Sequence, residues 1–251
     1  MSWNRHVFVT MGTAMSLTFE DASPEQGALR TIDDVFDRYD AVFSLYKPNS
    51  ELSRIADGRL ALPNASGELR EVYAAALEWR AATNGDFSPH RPDGIIDLSG
   101  IVKGIAMHRA GEELLRAGST NWCLNVGGDV LVSGMDAGGA PWTLGIVDPD
   151  DRNTLLTTPA LRGSRRAAAT SGSAERGDHI WTVGAMPAEF VQATVLADDI
   201  VTADVLATAI VAGGSSALDQ ICATWNIDVM AVDLDGEIRM TPGFAPRILS
   251  D

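Results

Sequence analysis

The segment that most constrains the fold covers residues 97–129, DLSGIVKGIAMHRAGEELLRAGSTNWCLNVGGD. Ile95 and Ile96 lead into Asp97 as a short apolar strand. A small-residue turn, one lysine, an amphipathic helix, a second apolar strand and a Gly-Gly-Asp turn follow. Acid, cation and flexible backbone therefore fall close together, an arrangement that suits an anionic ligand. Lys103 falls in the first turn of the expected helix, where a cation opposes the macrodipole. A residue set against local preference suggests a task, either reaching a phosphate or pairing with Asp97; a solvated lysine is the plain alternative. Gly127-Gly128 departs from the G-x-G-x-x-G spacing and runs into Val130, Leu131 and Val132, so it reads as a hairpin turn and not as a dinucleotide loop.

Before this segment, alternating apolar residues over 6–19 read as a strand pair or one bent strand around Gly12-Thr13. Ser23-Pro24 with Gln26 gives a capping box, and Leu29, Ile32, Phe36, Tyr39 and Phe43 follow at helical spacing. A short helix capped by Asn49 or Ser50 comes next. A second amphipathic helix carries Leu69, Val72, Tyr73, Ala76 and Leu77 and ends at Asn84-Gly85. The proline-rich loop GDFSPHRPDG then delivers the chain to Ile95. Downstream, residues 141–149 and 167–170 read as strands, and Val191, Ala193, Val195 and Ala197 alternate. Thr202 is expected to cap a helix that stops at Gly213-Gly214, with a further helix from Ser216 to Trp225. Asp235-Gly236 marks a hairpin. Hairpin-linked strands outnumber helices, which favours an α+β fold with mostly antiparallel sheets and packed helices. The expected organisation is one domain over 1–251, built of one unit or two intimately packed α+β halves.

Composition narrows the partners. The chain has 251 residues, 34 acids and 19 bases, and a formal charge of −15, so nucleic acid is not an expected partner. An acidic enzyme that recruits divalent cations fits better. Only Lys47 and Lys103 are lysines. No apolar run of membrane-helix length is expected and no signal-peptide h-region is seen, so the expected residence is cytoplasmic without membrane insertion. Cys123 and Cys222 lie in apolar segments and read as buried free thiols.

Asp204 and Thr208 stand four apart on one helix face, and both carry hard oxygen ligands for magnesium or calcium. The plainer alternative is a dipole partner and a threonine bonded to its own i−4 carbonyl. His179 follows the Thr170-Ser171-Gly172 break and has the chemistry to take a proton from a hydroxyl nucleophile. His6, His90 and His108 form no zinc spacing, and no G-x-S-x-G elbow occurs. Tyr46 and Trp181 are aromatic rings able to stack on a flat ligand or to serve as core.

Taken in order, Met11-Gly12-Thr13, the run SLYKPNSELS over 44–53, DLSGIVKG over 97–104, LNVGGD over 124–129, Thr170-Ser171-Gly172, His179-Ile180 and ADVLAT over 203–208 resemble the FAD:protein FMN transferase (ApbE) family, in a short cytoplasmic form. The resemblance implies a T-fold-like α+β architecture that binds FAD with Mg²⁺. It implies a metal set of Asp204, Thr208 and the Gly100 carbonyl, and a flavin site lined by Met11, Tyr46, Phe87, Asp97, Lys103 and Ser171. Lys103 and His179 become the catalytic pair. The implied reaction moves FMN to a Ser or Thr hydroxyl of an acceptor protein and releases AMP; an FAD pyrophosphatase or a non-catalytic flavin binder are the alternatives. The family's H-I-x-D-P run is here His179-Ile180-Trp181-Thr182, and its G-x-F-D is Gly85-Asp86-Phe87-Ser88.

Overall fold

The computed structural model describes residues 3–20, 26–172 and 189–248. The Ser23-Pro24 cap, His179 and Trp181 lie outside these residues.

The framework is an eight-stranded antiparallel sheet in the order β1-β2-β3-β4-β9-β10-β11-β12. Its strands are β1 (Trp3–Thr10), β2 (Thr13–Glu20), β3 (Trp122–Val126), β4 (Asp129–Ser133), β9 (Ala167–Gly172), β10 (Phe190–Ala197), β11 (Asp228–Asp233) and β12 (Ile238–Met240). The N-terminal alternation is a strand pair, because Met11 (φ 49°) and Gly12 (φ 73°) together form the doubly left-handed loop that matches hairpin twist. Strand β10 is predicted by the alternation over 191–197, and its residues 192–197 are all buried, with Val191 before them half-buried. It lies between β9 and β11 and is covered on both faces.

One face of the sheet carries the helices α1 (Gln26–Phe43), α2 (Glu51–Ala56), α3 (Gly67–Ala82), α4 (Ser99–Arg116) and α5 (Ile200–Thr224). Ile32, Phe36, Tyr39 and Phe43 of α1 bury the predicted stripe in a core shared with Met15, Leu17, Leu124, Ala169 and Val195. Each such side chain contributes roughly 1.5–3 kcal/mol by leaving water. The opposite face packs Val130, Val132, Leu196 and Met230 against Leu144, Ile146, Leu161 and Phe244.

Local differences from the sequence reading have definable causes. Residues 95–96 form no strand; an isolated bridge joins His90 to Ile96, and the Arg91–Gly94 turn bends the chain just before it. The segment 141–149 divides into β5 (Trp142–Thr143) and β6 (Ile146–Val147), which pair separately with β8 (Ala160–Leu161) and β7 (Leu155–Thr157). The cap of α5 is Asp199, not Thr202: its carboxylate accepts the Thr202 N–H at 2.8 Å and the Thr202 hydroxyl at 2.6 Å. The expected break at Gly213-Gly214 is present: Gly214 is non-helical (φ 66°, ψ −151°) and divides α5 into two helical stretches joined at a kink, with Glu189 accepting the Ser215 N–H at 2.9 Å just past it. An 18-residue stretch of this 25-residue helix has a mean hydropathy of 1.5, so by length and composition alone it could span a membrane, contrary to expectation. Its apolar residues instead fill the shared core, with 61% of that stretch buried inside the protein.

Both cysteines are free and half-buried. Burial pushes the Cys123 thiol up to about 12. Iodoacetamide at pH 8 is therefore expected to alkylate Cys123 about 10³-fold more slowly than an ordinary free cysteine, because only thiolate reacts. Peptide mass spectrometry over a time course checks this; labelling at the rate of free cysteine contradicts it.

Candidate functional site

The helices α4 and α5 approach closely where α4 carries Gly104. A Cβ at this position would lie 3.1 Å from the Val201 Cα and 3.2 Å from the Ile200 carbonyl oxygen. The Gly104 N–H donates to Asp204 Oδ2 at 3.0 Å, tying the two helices at that point. One residue earlier, Lys103 reaches the same carboxylate from α4.

Lys103 occupies the second turn of α4 and not the first, because Ser99 and Gly100 already belong to the helix. The Asp97 carboxylate accepts the Ser99 N–H at 2.9 Å and so stabilises the helix entry; it does not pair with Lys103. Nor is Lys103 solvated. It is 5% exposed, against Asp129 at 0% and Asp204 at 1%. Its ammonium pairs with Asp129 Oδ2 and lies 3.4 Å from Asp204 Oδ1.

Burial disfavours the ammonium, but the two carboxylates outweigh that and hold Lys103 above the usual lysine range. Burial likewise raises both carboxyls. Asp129 is pushed up to about 7, with Lys103 opposing the rise and Asp204 adding to it. Asp204 moves in the same direction for the same primary reason. With both carboxyls ionised, one ammonium leaves this desolvated cluster a positive charge short, a deficit that a proton or a further cation would fill.

Hard oxygen donors converge beside that deficit. Asp204 Oδ1 is buried and accepts no hydrogen bond. One turn along α5, the Thr208 hydroxyl donates to the Asp204 carbonyl at 3.0 Å and lies 3.2 Å from the Ser171 hydroxyl of β9. A Cβ on Gly100 would sit 3.5 Å from Thr208 Cγ2 and 3.0 Å from Phe87 Cε2, so both side chains come close to Gly100. Among the described residues no cluster of three or more His, Cys, Asp or Glu side chains is poised for a metal. A cation here would therefore be held by one carboxylate and neutral oxygens, a donor set that suits Mg²⁺ with retained waters. The residues present fit that ion.

The remaining predicted positions divide. Met11 is half-buried in the β1–β2 turn, and Gly127 packs under the same hairpin. Its N–H donates to the Ala14 carbonyl at 3.1 Å, and a Cβ there would strike Thr13 Oγ1 at 2.7 Å. Met11 thus borders the turn that begins β4 with Asp129. Phe87 is 1% exposed and forms the floor beneath Gly100. Tyr46 is 77% exposed between α1 and α2, on a loop held where Ser53 Oγ donates to the Ser44 carbonyl at 3.0 Å. A cavity of about 680 Å³ opens elsewhere among the helices, lined by Val35, Tyr39, Val72, Ile105 and Arg109, and includes none of the predicted site residues.

Asp129 joins the site without having been a candidate on sequence, where it reads as part of the Gly-Gly-Asp turn. Its signal was nevertheless present, since an acid between Val126 and Val130-Leu131-Val132 must be buried, and a buried carboxylate needs a cation.

The ApbE family model matches residues 11–93 and 88–232. The chain is 32% identical over 164 residues to an FAD:protein FMN transferase of Rhodobacter capsulatus, covering 61% of this chain and 31% of that protein. It is 26% identical over 175 residues to the protein of the same name from Salmonella typhimurium, covering 64% and 49%. The chain thus spans half or less of the length of these curated relatives. Among solved structures, flavin transferase ApbE from Vibrio cholerae superposes with a TM-score of 0.78 at 22% identity, covering 98% of this chain and 99% of that one. The ApbE protein from Thermotoga maritima gives 0.80 at 20% identity, covering 99% and 100%. The expected α+β architecture of the ApbE type, with antiparallel sheet and packed helices, is the fold observed.

Proposed function

The chain belongs to the ApbE family, and on that premise we propose that it is a Mg²⁺-dependent FAD:protein FMN transferase that moves FMN from FAD to a Ser or Thr hydroxyl of an acceptor protein and releases AMP. The observation that carries this reading is the buried Lys103–Asp129–Asp204 cluster beside the hydroxyls of Thr208 and Ser171. Such a cluster has no packing rationale that an apolar trio would not serve better. It does suit the handling of phosphoryl charge.

In the proposed reaction an acceptor oxygen forms a bond to the FMN phosphorus as the bond from that phosphorus to the AMP oxygen breaks. Asp204, Thr208, Ser171 and the Gly100 carbonyl are the proposed holders of Mg²⁺. When bound, that ion would supply Lewis-acid neutralisation of pyrophosphate charge. Lys103 contributes a fixed positive charge, kept protonated by its carboxylate partners, to the same developing negative charge. The hydroxyl proton is assigned to His179 by its match to the family pattern. Met11 and Tyr46 are the proposed flavin-nucleotide contacts at the rim, with Asp97 and Phe87 shaping the entry to α4.

Purified protein incubated with FAD and Mg²⁺, with and without a serine- or threonine-bearing acceptor peptide, tests this reading by chromatography of AMP and mass spectrometry of the peptide. AMP release that requires the peptide, with FMN mass added to it, is the expected result, and EDTA is expected to abolish both. AMP without peptide identifies a pyrophosphatase, and intact FAD under both conditions overturns both enzymatic readings.

A further inference from the structure

We infer that Asp129 is a positioning residue for Lys103: it tethers the ammonium at the junction of α4, β4 and α5, so that the lysine keeps one place when Asp204 is engaged by a cation. The two acids stand at different distances from Lys103, Asp129 being the nearer. Asp129 is also fully buried. Oδ1 accepts the Thr170 N–H at 3.0 Å, while Oδ2 faces the ammonium. The backbone of the neighbouring strand therefore sets this carboxylate's direction. Asp204 likewise gives one oxygen, Oδ2, to a backbone N–H, that of Gly104, but its Oδ1 stands off from the ammonium at 3.4 Å.

Asp129 is consequently the tight partner and Asp204 the exchangeable one. A lysine side chain has four freely rotating bonds and about 2 kcal/mol of rotamer entropy. Held by Asp204 alone, it would lose its counter-ion as soon as that carboxylate turned to a metal. The position of Asp129 has its own backbone cause. Gly127 (φ 58°) and Gly128 (φ 96°) adopt left-handed conformations, making the tight turn that places Asp129 first in β4 opposite Val126.

The tether stands on this geometry; its consequence for catalysis rests on the transferase reading above. The presence of only two lysines makes it testable. Lys47, with its side chain 52% exposed in a pair with Asp40, is an internal reference for amine acetylation. In the full chain, N-acetoxysuccinimide followed by peptide mass spectrometry is expected to modify Lys103 about 100-fold more slowly than Lys47, because modification awaits local opening. The isosteric Asp129→Asn variant keeps an oxygen for Thr170. It is expected to raise the Lys103 rate about tenfold without moving that of Lys47, the scale of coupling found within one ion-pair network. A wild-type Lys103 as reactive as Lys47, or a Lys103 rate unchanged by D129N, overturns the inference. The wild-type measurement decides even where D129N fails to fold.

Kinetics supply the functional half. With Lys103 present, D129N is expected to lower kcat about tenfold at unchanged KM for FAD; with Lys103→Met, adding D129N is expected to change kcat by less than about twofold. Equal losses in both backgrounds would show a structural role and overturn the positioning claim. A wild-type protein that binds no FAD would instead defeat the transferase reading, leaving the acetylation result to decide the tether.

Discussion

Alanine in place of Asp204 is expected to lower Mg²⁺-dependent AMP release on the order of 10³-fold, the scale seen when one preorganised electrostatic contact to a reacting phosphoryl or acyl group is removed. Asp204 is the sole carboxylate in the proposed donor set, which is otherwise made of the Thr208 and Ser171 hydroxyls and the Gly100 carbonyl. Neutral oxygens alone hold a strongly hydrated divalent ion poorly. The same substitution orphans the buried Gly104 N–H now bonded at 3.0 Å, which costs about 1–3 kcal/mol. It also removes one of two carboxylates around a single ammonium, which relieves charge imbalance. These stability effects oppose each other, so melting temperature cannot diagnose the metal role and turnover can. Asp204→Asn separates the terms: an amide oxygen can still accept from Gly104, so the fold is expected to persist while cation-dependent turnover is still lost. AMP release measured across a Mg²⁺ titration at saturating FAD is the check. Turnover within about twofold of wild type in both variants would remove Asp204 from the metal site.

The contrast between Asp204 and Asp129 shows which parts of the site the sequence made legible. Asp204 and Thr208 share one helix face because they stand four apart, a strictly local relation that the sequence shows directly. Their convergence with Ser171 and Gly100 depends on β9 and α4 packing on α5, contacts between segments distant in sequence. Lys103 was singled out because the chain has so few lysines, but its depth was misread. Two residues decide that depth: Asp129, 26 positions downstream, and Gly104, whose missing side chain lets α5 come close. Neither leaves a periodic signal. The framework was easier to read: the Asp235-Gly236 hairpin and the α1 stripe follow from local turn chemistry and spacing, while the break at Gly12-Thr13 left a strand pair and one bent strand both open. The Gly213-Gly214 break is legible in the same local way: Gly214 leaves helical geometry, and α5 is two helical stretches joined at that kink. Local rules failed where tertiary contacts intervene, as at β10, whose alternation did not reveal that both of its faces are covered.

Gly104→Val is expected to damage both fold and site, and the sign of the smaller Gly104→Ala change distinguishes helix propensity from packing. Glycine inside a helix is less favourable than alanine by about 0.8–1.0 kcal/mol, so propensity alone predicts stabilisation on adding a methyl group. At this position the new Cβ would meet the Val201 Cα at 3.1 Å, the Ile200 carbonyl oxygen at 3.2 Å and the Asp204 Cβ at 3.3 Å. Two of the three are backbone atoms, and relieving the crowding requires α5 to move away from α4. Overpacking of this kind costs roughly 1–3 kcal/mol, enough to reverse the propensity gain. G104A is therefore expected to destabilise, and G104V to do so more strongly, with Tm falling about 2–4 °C per kcal/mol for a chain of this size. Gly27→Ala in α1 is the control, because nothing lies within 4 Å of the added atom and its backbone is not left-handed. It is expected to leave Tm unchanged or raise it. A shift of α5 also stretches the bond from Gly104 to Asp204, so residual turnover in G104V is expected to fall further than its loss of folded protein explains. Calorimetry and turnover normalised to folded protein test both halves, and a G104V protein as stable and active as wild type would show that the α4–α5 approach does not hold the site.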